Sequence, residues 1–276
     1  MAGPTWHSED VPALPPITRA GWLRAALRGG LLALVTYGCL ALLLLLRLLE
    51  WPLGRPVSPF IVQFVCRAAF MILGIRHRVT GHPMHGRGAL VANHASWLDI
   101  FTLNAAARVF FVSKAEVARW PGIGILARAT GTVFIARDPR QAQAQTALFE
   151  ERLAQGDRLL FFPEGTSTDG RRVLGFKSTL FAAFQAPALA GFLRLQPVSV
   201  IYHAPPGTDP RFYGWWGEMD FGAHFLRVLA APRHGSVEVI FHAPVAVADF
   251  PSRKALAAHC EAEVRRGVDQ AIGDIS

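Results

Sequence analysis

Ala89-Leu90-Val91-Ala92-Asn93-His94-Ala95-Ser96-Trp97-Leu98-Asp99 is the stretch on which the fold turns. Residues 89–92 are apolar without alternation, the pattern of a strand buried on both faces. The run ends at Asn93, His94 follows in a turn, and Ser96 stands where it would cap a helix containing Asp99. The same grammar recurs downstream. VFFV (109–112), TVFI (132–135), LLFF (159–162), residues 195–202 and residues 237–242 all read as strands. Asp138-Pro139 opens a helix with Pro at its first position; Ala142, Thr146, Phe149 and Leu153 form its inner face, and Gly156 closes it. Residues 176–185 read as helical. Ser252 caps a last helix with Leu256, Cys260, Val264 and Val268 on one side. Residues 202–234, rich in Pro, Gly and Trp, read as a long loop region. Strands alternating with helices give a mixed α/β domain over residues 76–276, with a largely buried sheet and flanking helices. Neither GxGxxG nor GxxxxGK[ST] occurs, so a nucleotide-binding fold has no support.

Upstream of that domain the composition changes. The chain has 276 residues, 51% hydrophobic and only 17% charged, with a mean hydropathy of +0.28. That excludes disorder and leaves apolar surface beyond what a core requires. Net charge is +8, and residues 11–87 carry nine arginines against the single acid Glu50, so the excess lies wholly in the N-terminal third. These arginines are interleaved with long apolar runs, which favours an anionic membrane surface over nucleic acid. Residues 29–46 hold no charge, and as a helix they reach roughly 27 Å. A signal peptide does not fit, because 28 residues including Glu9 and Asp10 precede the run and no small-x-small site follows. In a second apolar stretch, 57–75, Gln63 and Arg67 share one face, as in an interfacial helix. Basic flanks on both sides of the first stretch (Arg19, Arg24 and Arg28, then Arg47 and Arg55) favour a two-helix anchor over residues 1–75. A single span and a buried core helix remain open. Cys39, Cys66 and Cys260 are too few and too scattered for a disulfide framework or a zinc site. Arg outnumbers Lys 25 to 3, a bias that matches a GC-rich bacterial genome.

Three loops at strand ends carry chemistry. In the first, Asp99 can accept the imidazole Nδ1–H of His94 and leave Nε2 as a base. No G-x-S-x-G nucleophile accompanies it, so the base would act on a substrate hydroxyl. Ser96-x-x-Asp99 also reads as a plain capping box. The second loop, Phe162-Pro163-Glu164-Gly165-Thr166-Ser167-Thr168-Asp169-Gly170, can hold an anion or polar head group, or be an ordinary strand-to-helix turn. In the third, Phe134-Ile135-Ala136-Arg137 brings a guanidinium to a strand end, as a clamp for an anion or as a solvated surface group.

Taken in order, Asn93-His94-x4-Asp99, Phe134-Ile135-Ala136-Arg137, Phe162 to Thr166 and Gln196-Pro197-Val198 resemble the four motifs of the glycerolipid acyltransferases, the lysophosphatidic-acid-acyltransferase-like family, over about residues 75–245. The resemblance implies a membrane-bound O-acyltransferase of lipid biosynthesis, with His94 as general base and Asp99 as its orienting partner. It implies that Arg137, Glu164, Gly165 and Thr166 hold the acceptor head, and that Lys114 faces the site. Acyl-carrier protein or acyl-CoA would be the co-substrate. No metal, other cofactor or nucleic acid is expected, and the implied setting is the inner membrane with the catalytic domain facing the cytoplasm. The acceptor implied first is 1-acyl-sn-glycerol-3-phosphate. One departure matters: Ser167 stands where phosphatidate-forming members carry Arg. EGTSTDG, with Trp216-Gly217-Glu218-Met219-Asp220, is similar to the lyso-ornithine lipid branch, where Glu218 or Asp220 would pair with an amine. A metal-dependent hydrolase and a catalytically silent lipid-binding protein are the other classes kept open.

Overall fold

The computed structural model describes residues 5–8, 12, 16–50, 57–86, 88–120, 122–135, 142–186, 189 and 191–273. Two helices come first, α1 (Arg19–Glu50) and α2 (Ser58–Leu73). They are followed by β1 (Arg76–Thr80), β2 (Gly88–Ala92), α3 (Asp99–Ala106), β3 (Phe110–Lys114), α4 (Ile123–Ala129), β4 (Val133–Ile135), α5 (Ala142–Ala154) and β5 (Arg158–Phe161). The rest comprises β6 (Arg194–His203), α6 (Phe221–Ala230), β7 (Ser236–Phe241), the two-residue β8 (Val245–Ala246) and α7 (Arg253–Gly273). The sheet order is β1-β7-β6-β2-β5-β3-β4, with β8 on β6. All neighbours on that path are parallel except β6 and β7.

β2 lies in the middle and is buried along its whole length, as its unalternated sequence requires. Leu90 and Ala92 face one core, shared with α2, α3 and α6; Ala89 and Val91 face the other, shared with α5 and α7. In α7, Leu256, Cys260, Val264 and Val268 are all buried, and the Ser252 Oγ accepts the Ala255 N–H at 3.2 Å, the expected cap. Three sequence expectations need adjustment, and a fourth falls on residues the structure does not describe. β1 is an additional strand. Residues 178–185 form 3₁₀ turns rather than an α-helix. The 202–234 region contains α6. Asp138-Pro139 lies outside the described residues.

Among the described residues, α1 is the one helix long and apolar enough to cross a membrane. Leu23, Leu27, Leu31, Leu34, Leu42 and Leu45 form an exposed stripe along it. Its two ends are fastened to the α/β domain. Near the start, Arg24 Nε donates to the Ala230 carbonyl (2.9 Å), and Arg28 Nη1 donates to those of Leu229 (2.9 Å) and Ala231 (2.7 Å), capping the C-terminal end of α6. Near the finish, Arg47 Nη1 reaches the Arg128 carbonyl at 3.5 Å. The second helix is more deeply built in. Cys66, Phe70 and Leu73 join the core while Phe60, Phe64 and Met71 stay exposed. Gln63 and Arg67 do share a face, but both donate to the Ala105 carbonyl at the end of α3 (3.3 and 3.0 Å), so that face meets protein.

Candidate active site

β2 and β5 are adjacent and parallel, with Val91 opposite Phe161, so the loops that follow them emerge side by side. In the first loop the buried Asn93 acts as one more rung of the sheet. Its amide donates to the Val200 carbonyl and its oxygen accepts the Val200 N–H, each at 2.8 Å. That pins the chain immediately before His94. The His94 Nδ1 lies 2.7 Å from Asp99 Oδ2, and Asp99 is completely buried. The same carboxylate oxygen accepts the N–H groups of Ala95 (2.8 Å) and Ser96 (3.0 Å), while Oδ1 accepts the Tyr202 hydroxyl at 2.8 Å. Asp99 is also the first residue of α3, where the helix dipole favours an anion. Four donors and a helix start offset the cost of burying the charge.

The capping and catalytic readings therefore coexist. Asp99 reaches back to the Ser96 N–H as a capping box would, and it orients His94 with the same oxygen. The Ser96 Oγ does not complete the box; it accepts the Leu98 N–H at 3.3 Å. With Nδ1 held by the carboxylate, Nε2 is the nitrogen left for substrate. The imidazole lies flat on Phe162, with centroids 4.2 Å apart and planes 13° from parallel.

The second loop closes around the first. Glu164 is buried, its Oε1 accepting the His94 N–H at 2.7 Å and its Oε2 the Leu174 N–H at 2.8 Å. On the other side the His94 carbonyl accepts the Thr168 N–H at 2.9 Å. His94 is thus bracketed front and back by residues 164–168. Burial drives the Glu164 carboxyl up to about 8; the two backbone donors work against that shift, and the nearby Asp99 charge adds to it. Gly165 has φ +71, and a Cβ there would lie 2.7 Å from the Lys177 Nζ. The ammonium of Lys177, a residue the sequence reading passed over, thus lies over this turn. Ser167 is buried, at 9% exposure.

The predicted site residues are distributed unevenly. His94, Asp99, Glu164, Gly165 and Thr166 come together. Both oxygens of Glu164 are engaged by the backbone, and the Thr166 hydroxyl accepts the Trp6 N–H at 3.3 Å. Lys114 ends β3, exposed, in register with Ile135 of β4. Arg137 lies outside the described residues. Glu218 and Asp220 are both exposed; Asp220 caps α6, accepting the Ala223 N–H at 2.7 Å. Among the described residues, no three His, Cys, Asp or Glu side chains gather as a metal-binding group. Tyr202 was missed because it sits inside a strand read as apolar, although a buried Tyr hydroxyl normally seeks a partner. The Trp215 N–H bond to the Ala95 carbonyl, 2.9 Å, left no sequence signal.

A base held by a buried carboxylate, in a turn locked to an FPEGT loop, matches the arrangement expected of an enzyme that acylates a hydroxyl. The Acyltransferase family matches residues 76–201. The chain belongs to the glycerolipid acyltransferase family, and it is an acyltransferase of lysolipids. Within the family its similarity runs to the lyso-ornithine lipid branch. It is 58% identical to the lyso-ornithine lipid O-acyltransferase of Rhodobacter capsulatus, over 98% of this chain and 99% of that one. Against the enzyme of that description from Rhizobium meliloti, identity is 35% over 79% of this chain and 76% of that one. The 1-acyl-sn-glycerol-3-phosphate acyltransferase of Neisseria gonorrhoeae is 41% identical, but over only 36% of this chain and 40% of its own. The fold is shared with the crystal structure of the 1-acyl-sn-glycerophosphate acyltransferase of Thermotoga maritima, at a TM-score of 0.64 and 22% identity, covering 91% of this chain and 95% of that one.

Proposed function

We propose that the protein transfers a fatty acyl group to the hydroxyl of a lyso-ornithine lipid. The observation that carries this reading is the 58% identity to the Rhodobacter capsulatus lyso-ornithine lipid O-acyltransferase along nearly the whole chain. It ranks above lysophosphatidic acid, the acceptor that the family resemblance implied first. The buried Ser167 agrees, since it withholds a second arginine from a dianionic phosphate.

In the proposed reaction His94 Nε2 takes the proton of the acceptor hydroxyl as its oxygen attacks the acyl thioester carbonyl. Collapse of the tetrahedral intermediate expels the thiolate, which leaves as thiol with the proton from the imidazolium. The products are an ester and a free thiol. Asp99 holds the imidazole tautomer and offsets the imidazolium charge. Glu164 is a positioning residue, fixing the His94 backbone rather than touching the head group. Backbone N–H groups or Lys114 would stabilise the oxyanion, and Arg137 would approach the head group. The acyl donor would be acyl-carrier protein or acyl-CoA.

The membrane reading follows from α1. A spanning helix has ends on opposite sides of a hydrocarbon core about 30 Å thick. Here residues at the two ends are hydrogen-bonded to the same α/β domain. That arrangement favours a helix lying in one leaflet, outer stripe down, together with the exposed face of α2. In a bacterium this would be the cytoplasmic leaflet of the inner membrane.

The test is an acceptor pair offered to purified full-length protein at equal surface concentration, with either thioester donor. Lyso-ornithine lipid should be acylated at least about tenfold faster than lysophosphatidic acid. The opposite preference would return the assignment to phosphatidate synthesis.

A further inference from the structure

The loop that carries Trp216 to Met219 is tied to the catalytic turn. The Trp215 N–H donates to the Ala95 carbonyl, and Gly214 sits so close to residue 169 that a Cβ would lie 2.7 Å from the Asp169 oxygen. Against this loop lies the segment preceding α1. Besides its backbone bond to the Thr166 hydroxyl, Trp6 packs its ring at 6.1 Å from that of Trp216 and under the Arg172 guanidinium. A Cβ on Gly217 would lie 3.2 Å from the His7 Nδ1. Between the two runs is a cavity of about 330 Å³, lined by His7, Ser8, Trp216, Gly217, Glu218 and Met219. Such a volume has room for a small polar head group.

Its chemistry is specific. Glu218 is the only acid in the lining and has no ion-pair or hydrogen-bond partner among the described residues. Trp216 is 2% exposed, yet its indole N–H has no acceptor among them. That nitrogen is itself buried and does not open onto the cavity, so Trp216 serves the cavity as an apolar wall. One acid, with no Lys or Arg in the lining among the described residues, suits an ammonium and suits a phosphate poorly.

We infer that this cavity is the head-group pocket for a zwitterionic amino-acid lipid, with Glu218 taking the ammonium, Trp216 forming an apolar wall, and residues 6–8 forming another. The inference rests on the lyso-ornithine lipid reading. It gives the segment ahead of the membrane helix a place in acceptor binding.

The experiment compares lyso-ornithine lipid with the same lipid acetylated on its side-chain amine, using full-length wild type and Glu218→Gln in mixed micelles. For wild type, acetylation should raise KM about five- to tenfold with kcat within twofold, as for a partly exposed charge pair. Glu218→Gln should raise KM for the free amine by a similar factor and abolish discrimination between the two lipids; its unchanged kcat shows that it is folded. Trp6→Ala should raise KM for both lipids. If acetylation costs both proteins equally, Glu218 does not meet the amine and the inference falls while the acceptor reading stands. If Trp6→Ala leaves KM unchanged, the wall is wrong. A wild type active on lysophosphatidic acid but inert on lyso-ornithine lipid overturns the acceptor reading and the inference together.

Discussion

Asn93, Ser96 and Asp99 are buried, and each is hydrogen-bonded within the protein. By contrast, Lys114, Lys177 and Glu218 are exposed, on a strand end and in loops. The catalytic turn is over-determined: removing one partner leaves others in place but strands a buried polar group, which costs about 1–3 kcal/mol. The exposed groups carry no such penalty, so they can change with the acceptor while the turn stays fixed. One family can therefore keep a single reaction and exchange the lipid it acts on.

The contrast is broken most decisively at His94. His94→Ala should leave a folded protein whose kcat is reduced at least about a hundredfold, because the proposed general base is gone. Near-native turnover by a folded variant would remove His94 from the chemistry. Turnover of the purified variant, with circular dichroism as the check on folding, decides it.

A smaller effect is expected at Glu164, and it depends on pH. Its folded-state value, about 8, lies above the ordinary 4.5. A raised carboxyl contributes stability that is complete below pH 4.5 and is lost as pH rises through 8. Glu164→Gln lacks that titration. It should be less stable than wild type at pH 5, since Gln cannot accept both the His94 and Leu174 N–H groups, and the gap should narrow by pH 9. Thermal unfolding of both proteins across that range is the measurement. A gap that widens with pH would mean that the ionised form is the stabilising one.

Tyr202→Phe should do least. It removes one of four donors to Asp99 and leaves Thr102 without its 2.9 Å partner. A stability loss of about 1 kcal/mol and a several-fold fall in kcat are expected, read from denaturant titration and single-turnover rates. A loss as large as that at His94 would make the hydroxyl part of the proton transfer.

The sequence was most legible where burial is complete. Strands β2 and β5 and the cap of α7 follow directly from apolar runs and Ser252, and β6 and β7 were legible although Gln196, Ser199 and Glu238 interrupt their apolar residues. Edge strand β1, RHRVT, hid because its side chains are mostly exposed and carry no hydrophobic signature. Helix α6 hid behind Trp, Gly and Pro, and its N-cap, Asp220, was read as a ligand because an isolated acid can serve either role. His94 and Asp99 were legible from spacing. What Glu164 does was not, since a carboxylate that accepts backbone N–H groups from residues seventy and ten positions away leaves no local pattern.

Arg24, Arg28 and Arg47 give α1 a further meaning. A helix clasped at both ends has no slack, so a domain that seats α1 in a leaflet cannot swing on a tether. The opening beside His94 would then sit at one height above the hydrocarbon. An acceptor whose hydroxyl floats at that level could react without leaving the bilayer, and one whose hydroxyl lies deeper would have to be lifted, losing apolar contact with its neighbours at about 0.8 kcal/mol for each methylene raised into water. The three arginines would thus act as a depth gauge, sorting lipids by where along the molecule the hydroxyl lies before any head group is recognised.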